Sequence, residues 1–246
     1  MKTLRNLVKT ILITAALCPG LQALGQTGEQ LKLVFNITAN NKTLQPGGTY
    51  TNPFGEAYTV QKFRFYVSQI ELQDTTSTQT QLFPDSYFLV DAGDTASQTI
   101  TIPVKVDHLT GITFLIGVDS TANVSGTQQD ALDPANGMFW TWNTGYIMMK
   151  LQATSPAAKV PANAFTFDVG GYKPGENSTR KIGFFIRHGK KQPVHNITFA
   201  VDVNKLFNGA HPVKIAEHPM CHEPGALAMQ LADNYSTMFS VEKVSK

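Results

Sequence analysis

The chain has 246 residues, of which 15% are charged, and its formal net charge is +2. The segment 1–25 contains three basic residues and no acidic one, so the remainder carries a net charge near −1. A protein with that balance has no broad positive surface for phosphate backbones or anionic lipids, which excludes nucleic-acid binding.

The segment 1–25 has the pattern of a secretory signal peptide. Its basic residues are Lys2, Arg5 and Lys9. An uncharged apolar run over residues 11–17 follows, and small residues before Gln26 predict cleavage after Gly25. No apolar run reaches the roughly 20 residues of a membrane-spanning helix, so we expect an exported protein of the periplasm, the cell surface or the medium. Attachment to lipid through Cys18 is a weaker alternative, because Leu17 stands where a small residue is expected.

Alternation of apolar and polar residues recurs after the signal peptide and predicts β-strands. The clearest segments cover residues 31–37, 63–67, 100–106 and 197–203. In the second segment the phase slips before Ile70. Glycine, proline, asparagine and aspartate bound these segments, as is typical of strands joined by turns. Two packed sheets would bury the apolar faces, so the sequence predicts an all-β, two-sheet sandwich in a single domain over residues 26–246.

Two segments depart from the strand pattern. Residues 119–139 are polar and contain glycine and proline, which predicts a long loop or short helical turns. Residues 225–239 have helical spacing, with Leu227, Leu231 and Met238 on one face, and Pro224 suits the start of a short C-terminal helix.

Three aspartates of the long loop are a possible calcium site. Asp119, Asp130 and Asp133 offer the oxygen ligands that Ca²⁺ prefers. More often such residues only cap turns, and that alternative is the favoured one.

Both tryptophans of the protein lie within residues 133–146. On a strand, Trp140 and Trp142 would face the same side, and Tyr146 would keep the phase. They are either anchors of the hydrophobic core or rings at a binding site on the rim of the sandwich.

Residues 218–224 concentrate side chains that bind soft metals. Two imidazoles, a thioether and a thiol occur there, from His218, Met220, Cys221 and His222. These are ligand types that Cu(I) prefers. Prolines on both sides of the group favour a constrained turn, in which the two histidines could converge on one ion. The alternative is a loop with two surface histidines and a buried cysteine.

The other histidines carry weaker expectations. His195 and His211 are possible remote ligands, whereas His188, which precedes a Gly-Lys-Lys sequence, is expected to be solvated. The chain contains no nucleophile elbow, phosphate-binding loop, zinc-protease or dinucleotide-binding motif, so we expect a protein without catalytic turnover.

Several segments resemble the MbnP-like family, which includes proteins known as CorA and MopE. The resemblance spans nearly the whole chain after the signal peptide, and its most specific part is GMFWTWNTGY. The segments that carry it lie at residues 33–44, 62–72, 132–152, 168–172 and 231–241.

The resemblance implies a monomeric, exported β-sandwich protein that binds copper. In similar proteins a tryptophan is oxidised to kynurenine, and its aromatic amine and two histidines hold the metal. The oxidation is attributed to a partner diheme peroxidase of the MauG-like kind (MbnH). If this resemblance holds for the modification, the oxidised ring in this chain would be Trp140 or Trp142.

This chain departs from the family pattern at the expected histidines. Asp168 stands where many relatives place a histidine before the Gly-Gly pair, and Trp142 and Thr144 stand where a histidine would follow the oxidised ring. The leading hypothesis is therefore a copper protein with His218, Cys221 and His222 as ligands, Met220 as a weaker one and Asp168 as a possible addition. A metal-free binding or surface-interaction module is the main alternative, and an unrecognised hydrolase is the least favoured.

Overall fold

The structure is a computed structural model that describes residues 29–143, 145–187 and 193–245. The predicted signal peptide, the alternative lipid attachment at Cys18 and the histidine at position 188 lie outside the described residues. None of the described helices is long and apolar enough to cross a membrane.

The described chain is mostly β-strand, as the alternation predicts. The strands are β1 (Gln30–Ala39), β2 (Lys42–Thr43), β3 (Thr49–Thr51), β4 (Ala57–Asp74), β5 (Gln79–Asp91), β6 (Thr99–Pro103), β7 (Gly111–Ile116), β8 (Phe139–Trp140), β9 (Gly145–Thr154), β10 (Ala164–Gly170), β11 (Arg180–Phe185), β12 (Asn196–Asp202), β13 (Met220–Cys221) and β14 (Phe239–Ser245). The α-helices are α1 (Ser120–Val124), α2 (Lys205–Asn208) and α3 (Ala226–Ser236). Short 3-10 turns cover Asp130–Leu132, Pro134–Asn136 and Pro161–Asn163.

These strands form two sheets, which confirms the predicted sandwich. The five-stranded sheet has the order β14-β12-β1-β2, with β6 also paired to β1. The nine-stranded sheet has the order β11-β7-β4-β9-β10-β13, and β3, β5 and β8 pair onto this path. Most pairs are antiparallel, but β1–β12 and β10–β13 are parallel.

The main core lies between the two sheets and is rich in phenylalanine. The ring of Phe35 lies 5.8 Å from that of Phe65, 6.0 Å from that of Phe114 and 5.5 Å from that of Phe199, which joins both sheets at one point. The slip in the pattern before Ile70 is a bulge, because Gln69 has a φ of 47° and the pairing of β4 shifts there.

A second, smaller apolar cluster lies on the other face of the nine-stranded sheet. Phe65 and Met149 belong to the main core, whereas their chain neighbours Tyr66 and Met148 belong to the second cluster. Successive residues of a strand point to opposite faces, so this cluster covers the outer face of the sheet. The segment predicted to be a long loop with helical turns covers that cluster, and it includes α1 and two of the 3-10 turns.

The predicted C-terminal helix is present as α3 and is slightly shorter than the sequence suggested. It starts directly after Gly225 and ends at Ser236, and Phe239 opens β14 instead of extending the helix.

The core contacts of Phe35 lead to a stability prediction. The substitution Phe35→Ala should lower the free energy of unfolding by about 3–5 kcal/mol, because it removes a buried ring and leaves a cavity between the sheets. The matched control is Phe185→Ala, since the side chain of Phe185 is 86% exposed and its loss should change stability by no more than about 0.5 kcal/mol. Denaturant unfolding of both variants measures the difference, and equal losses would contradict this account of the core.

Candidate functional site

The two tryptophans lie on a β-hairpin and not on one continuous strand. Trp140 ends β8 and pairs with Gly145 of β9, while residues 141–143 belong to the turn between them. The interpretation of this block as a single strand is therefore wrong. Trp140 is 6% exposed and belongs to the second cluster, whereas Trp142 is 61% exposed. Their ring centres are nevertheless 5.5 Å apart, with an angle of 38° between the planes.

Hydrogen bonds from the long loop hold this hairpin in place. The buried side chain of Asn123 accepts a hydrogen bond from the backbone N–H of Tyr146 at 2.8 Å and donates one to the carbonyl of Val118. The hydroxyl of Tyr146 donates to the carbonyl of Leu132 at 2.9 Å. The position of Trp140 thus depends on polar contacts to both ends of the loop.

Two consecutive glycines let the tryptophan and the histidine-rich segment approach β10. A Cβ atom at Gly170 would lie 2.6 Å from Cζ3 of Trp140, so the ring packs directly on the backbone there. A Cβ at Gly171 would lie 2.3 Å from the carbonyl oxygen of Glu176 and 3.1 Å from Cβ of Pro224. Because Pro224 directly follows the histidine-rich segment (residues 218–223), two regions of interest that are far apart in the sequence meet at this glycine pair.

The histidine-rich segment joins the sheet as β13, and this decides which of its side chains share a face. Cys221 pairs in register with Phe167 of β10 and lies in the main core. The neighbours Met220 and His222 are exposed and flank it in the chain, so they point to the outer face, beside the strand position of Asp168.

The structure directs Cys221 away from these outer-face residues, and His218 lies before β13 begins. Burial raises the pKa of the Cys221 thiol to about 12, and the nearby Asp168 carboxylate adds to the effect. Burial thus favours the protonated thiol, and the side chain lies in the main core opposite Phe167. His218 is exposed and precedes β13, with its backbone N–H bonded to the carbonyl of Lys214 at 2.9 Å.

A row of charged side chains crosses the outer face next to this site. Four neighbouring strands contribute one residue each. Arg64 of β4 lies opposite Asp91 of β5 on one side and Lys150 of β9 on the other, and Lys150 lies opposite Asp168 of β10. Arg64 Nε donates to Asp91 at 2.7 Å, and Lys150 Nζ donates to Asp168 Oδ2 at 3.1 Å. Burial raises the pKa of Asp168, and the positive Lys150 and the nearby His222 partly offset that effect. Asp168 is thus the counter-ion of a buried lysine.

The remaining candidate residues lie elsewhere or have other roles. The backbone N–H of His195 bonds to Ser245 at the end of the five-stranded sheet, and His211 contacts Asp233 of α3 at 3.0 Å. Within the described part of the chain, no group of three or more His, Cys, Asp or Glu side chains could hold a metal ion.

The aspartates considered for calcium act mainly as caps. Asp119 accepts hydrogen bonds from the first N–H groups of α1 and from the hydroxyl of Tyr87, and Asp133 accepts one from Ala135 N. Asp130 lines a groove of about 610 Å³ together with Asp119. This is the capping role that the sequence favoured.

Sequence reasoning missed Lys150 and its row of partners. One signal was available, because a lysine stands inside the apolar run Ile147–Leu151, where a charge needs a partner if the run is buried. The identity of that partner depends on strand register, which only the structure provides.

Comparisons with known proteins agree with this architecture. The model of the MbnP family matches residues 28–223, which is most of the chain. The solved structure of MbnP from Methylosinus trichosporium is similar to this chain, with a TM-score of 0.60 and 17% sequence identity, and the match covers 87% of this chain and 98% of that one. No curated protein matches the chain.

The burial of Cys221 leads to a test of its chemistry. In the native protein at neutral pH, its thiol should react with iodoacetamide roughly a thousandfold more slowly than an ordinary thiol, because so little thiolate forms. Its neighbour Met220, which points the other way and is half exposed, should be oxidised readily by dilute peroxide. Peptide mass spectrometry measures both, and native alkylation of Cys221 at the rate of the denatured chain would contradict the buried placement.

Proposed function

This chain belongs to the MbnP family, and we propose that it is an exported copper-binding protein whose site lies beside Trp140 on the outer face of the nine-stranded sheet. The observation that carries the proposal is the convergence at Gly170 and Gly171. Trp140 packs on the first glycine and Pro224, which follows the histidine-rich segment, packs on the second. The signal-peptide pattern of the segment 1–25 supports export.

The chemistry of the available donors suits copper in its reduced state. His222 offers an imidazole, which suits copper, and Met220 offers a thioether, a soft donor that favours Cu(I). Cys221 is directed into the core and Asp168 is bound to Lys150. We therefore propose His222 and Met220 as protein ligands and leave His218 and Cys221 outside the site.

Oxidation of Trp140 would supply a third donor on the same face. Conversion to kynurenine begins with a four-electron oxidation, in which two molecules of hydrogen peroxide cleave the indole C2–C3 double bond, place one oxygen on each carbon and leave as two waters. Hydrolysis of the resulting N-formyl group with one water then releases formate. The product carries an aromatic amine. We propose Trp140 as the modified ring, with hydrogen peroxide as the oxidant and a diheme peroxidase as the catalyst, because Trp140 is the ring packed at the site.

Trp142 has a different place in this proposal. It is exposed and lies 5.5 Å from Trp140, so a peroxidase that cannot reach the buried ring can still withdraw electrons through the exposed one. The protein itself then needs no catalytic turnover, and a monomer suffices.

The modification and the metal can be tested together. In protein purified from the host that naturally makes it, the peptide with both tryptophans should show a net gain of one oxygen and loss of one carbon, located at Trp140 by fragmentation. Metal analysis should find near-stoichiometric copper. Unmodified tryptophans without copper would refute the proposal, and the unmodified ring with copper would remove only the oxidation step.

The ligand assignment predicts different effects for the two histidines. His222→Ala should weaken Cu(I) binding by more than about 100-fold, because loss of a residue that only supports a ligand already costs roughly 10- to 100-fold. The matched control His218→Ala should leave Cu(I) affinity unchanged. Imidazole must be neutral to bind, so wild-type affinity should be lower at about pH 5 than at about pH 7.5. Competition with a chromogenic Cu(I) chelator measures both effects, and loss of binding in the His218 variant would reverse the assignment.

The exposure of Trp142 favours one further candidate, a metal-free binding module. A half-exposed indole at the rim of a sandwich is suited to stacking on a glycan or on a partner protein. In that case Trp142→Ala would abolish ligand binding, and purified protein would contain no copper.

A further inference from the structure

Strand β5 lies at an edge of the nine-stranded sheet. Among the described strands it pairs only with β4. The backbone N–H of Ala92 donates to the carbonyl of Phe63 at 3.0 Å, and the N–H of Gly117 donates to the carbonyl of Tyr66 at 3.0 Å. The direction of hydrogen bonding alternates along a strand. Over residues 63–68, β4 therefore directs its odd-numbered residues to β5 and its even-numbered residues to β7.

The strand register then identifies backbone groups of β5 that have no strand beside them. Tyr87 and Leu89 lie opposite Ser68 and Tyr66, which are even-numbered residues of β4 directed to β7. The N–H and C=O groups of Tyr87 and Leu89 therefore point away from β4, to the outside of the sheet. We term residues 87–89 the open edge of β5.

The structure covers β5 on both sides of the open edge. At one end, the side chains of Ser97 and Gln98 bond to the backbone N–H and carbonyl of Asp91 at 2.9 and 3.1 Å. At the other end, the side chain of Gln81 donates to the carbonyl of Pro103 at 2.9 Å and so ties β5 to the end of β6. Uncovered strand edges pair readily with other chains, and proteins usually protect them. The open edge is thus a gap in a protected edge.

Two grooves meet over the open edge. Their volumes are about 610 and 530 Å³, and both are lined by Tyr87, Asp130 and Ala131. Each volume lies within the range of roughly 300–1,000 Å³ that is usual for ligand sites. Tyr87, Phe88 and Leu89 all line the second groove. Because successive side chains of a strand point to opposite faces, a groove that contacts three consecutive residues runs along the strand edge.

The grooves carry an excess of negative charge. Asp85 lines the first groove, Asp94 lines the second, and Asp130 lines both. Among the described lining residues the only basic one is Arg64, and it is bonded to Asp91 at 2.7 Å. The side chains of Asp85 and Asp130 make no hydrogen bond or ion pair within the described part of the chain. This favours a basic occupant, and it disfavours a second copy of the chain, which would bring the same carboxylates against them.

We propose that the open edge of β5 binds an extended, basic segment of a partner protein as an added strand. The backbone of that segment pairs with the N–H and C=O groups of Tyr87 and Leu89, which is the recognition mode of β-strand addition. Its basic side chains, at alternate positions, reach Asp85, Asp94 and Asp130. The site shares no residue with the proposed copper site, so either function can fail without the other.

Synthetic probes can test this site on the mature protein by isothermal titration calorimetry. The capped peptide Lys-Thr-Lys-Thr-Lys carries the basic alternation, and Glu-Thr-Glu-Thr-Glu is its acidic counterpart. Two further versions of the basic peptide are N-methylated, one on its lysine amides and one on its threonine amides. Each methylation removes the N–H donors from one edge of the extended peptide, and an added strand uses only one edge. Spermine supplies positive charge without a peptide backbone.

Wild type should bind the basic peptide with a Kd below about 1 mM. The acidic peptide should bind at least about tenfold more weakly, since like charges would meet in the grooves. One N-methylated version should lose binding by about tenfold, whereas the other should bind like the parent peptide.

Variants of the carboxylates test the charge. Asp85→Asn and Asp130→Asn should each weaken binding of the basic peptide by about two- to fivefold, because each removes one exposed ion pair. Asparagine suits position 130, where φ is 55°, as well as aspartate does. The matched control Glu29→Gln removes an exposed carboxylate outside both grooves and should leave the affinity unchanged.

A backbone variant tests the strand pairing. Leu89→Pro removes one outward N–H and leaves the hydrogen bonds to β4 in place, as is tolerated on an edge strand. It should bind the basic peptide at least about threefold more weakly than the matched control Leu89→Ala, which keeps that N–H. Thermal melting checks that both variants fold. Should Leu89→Pro not fold, the two N-methylated peptides decide the question on wild type.

Several results would overturn this inference. They are absence of binding by the basic peptide, equal binding of the basic and acidic peptides, and equal binding of both N-methylated versions. Spermine binding as tight as that of the peptide would leave only an acidic groove for amines. A dimer of the free protein that Leu89→Pro dissociates would assign the open edge to a second copy of the chain.

Discussion

The packing of the outer face of the nine-stranded sheet depends on one contact, in which the Trp140 ring lies against the backbone of Gly170. Any side chain at position 170 would occupy the space of the ring, since a Cβ would lie within 2.6 Å of it. Gly171 adds a second requirement, because its φ of +121° lies in a region that other residues rarely adopt. Glycine at both positions costs conformational entropy on folding. Here it allows an aromatic ring and Pro224 to pack on adjacent backbone units at the end of β10.

The nine-stranded sheet separates two kinds of chemistry because its residues alternate between faces. The inner face is filled with aromatic rings around Phe35, while the outer face carries charges, the second apolar cluster and the proposed donors. The parallel pairing of β13 with β10 extends this alternation to the histidine-rich segment. It sends Cys221 inward to Phe167 and leaves Met220 and His222 outside. The pairing of one very short strand thus decides that the thiol lies in the core and the thioether outside it.

Local patterns in the sequence predict most of the fold but only part of the site. Alternation over residues 31–37 and 197–203 correctly predicts strands, and the slip before Ile70 corresponds to a bulge. The tryptophan hairpin was missed, because the shared face expected for Trp140 and Trp142 favoured one strand although Asn143 and Gly145 are turn residues. The orientation of Cys221 was equally inaccessible. It depends on whether the short strand β13 pairs with β10, and that pairing joins segments that lie far apart in the chain.

Asp168 shows how a residue that fits poorly as a ligand can fit well as a counter-ion. As an oxygen donor it is a weak match for Cu(I), so its place in the proposed copper protein was hard to explain from the sequence. The strand register places Lys150 directly opposite it, and a buried lysine needs an anion within reach. Each charge thus accounts for the presence of the other. A carboxylate can therefore occupy a position beside the proposed donors as a counter-ion, because a cation on the neighbouring strand holds it.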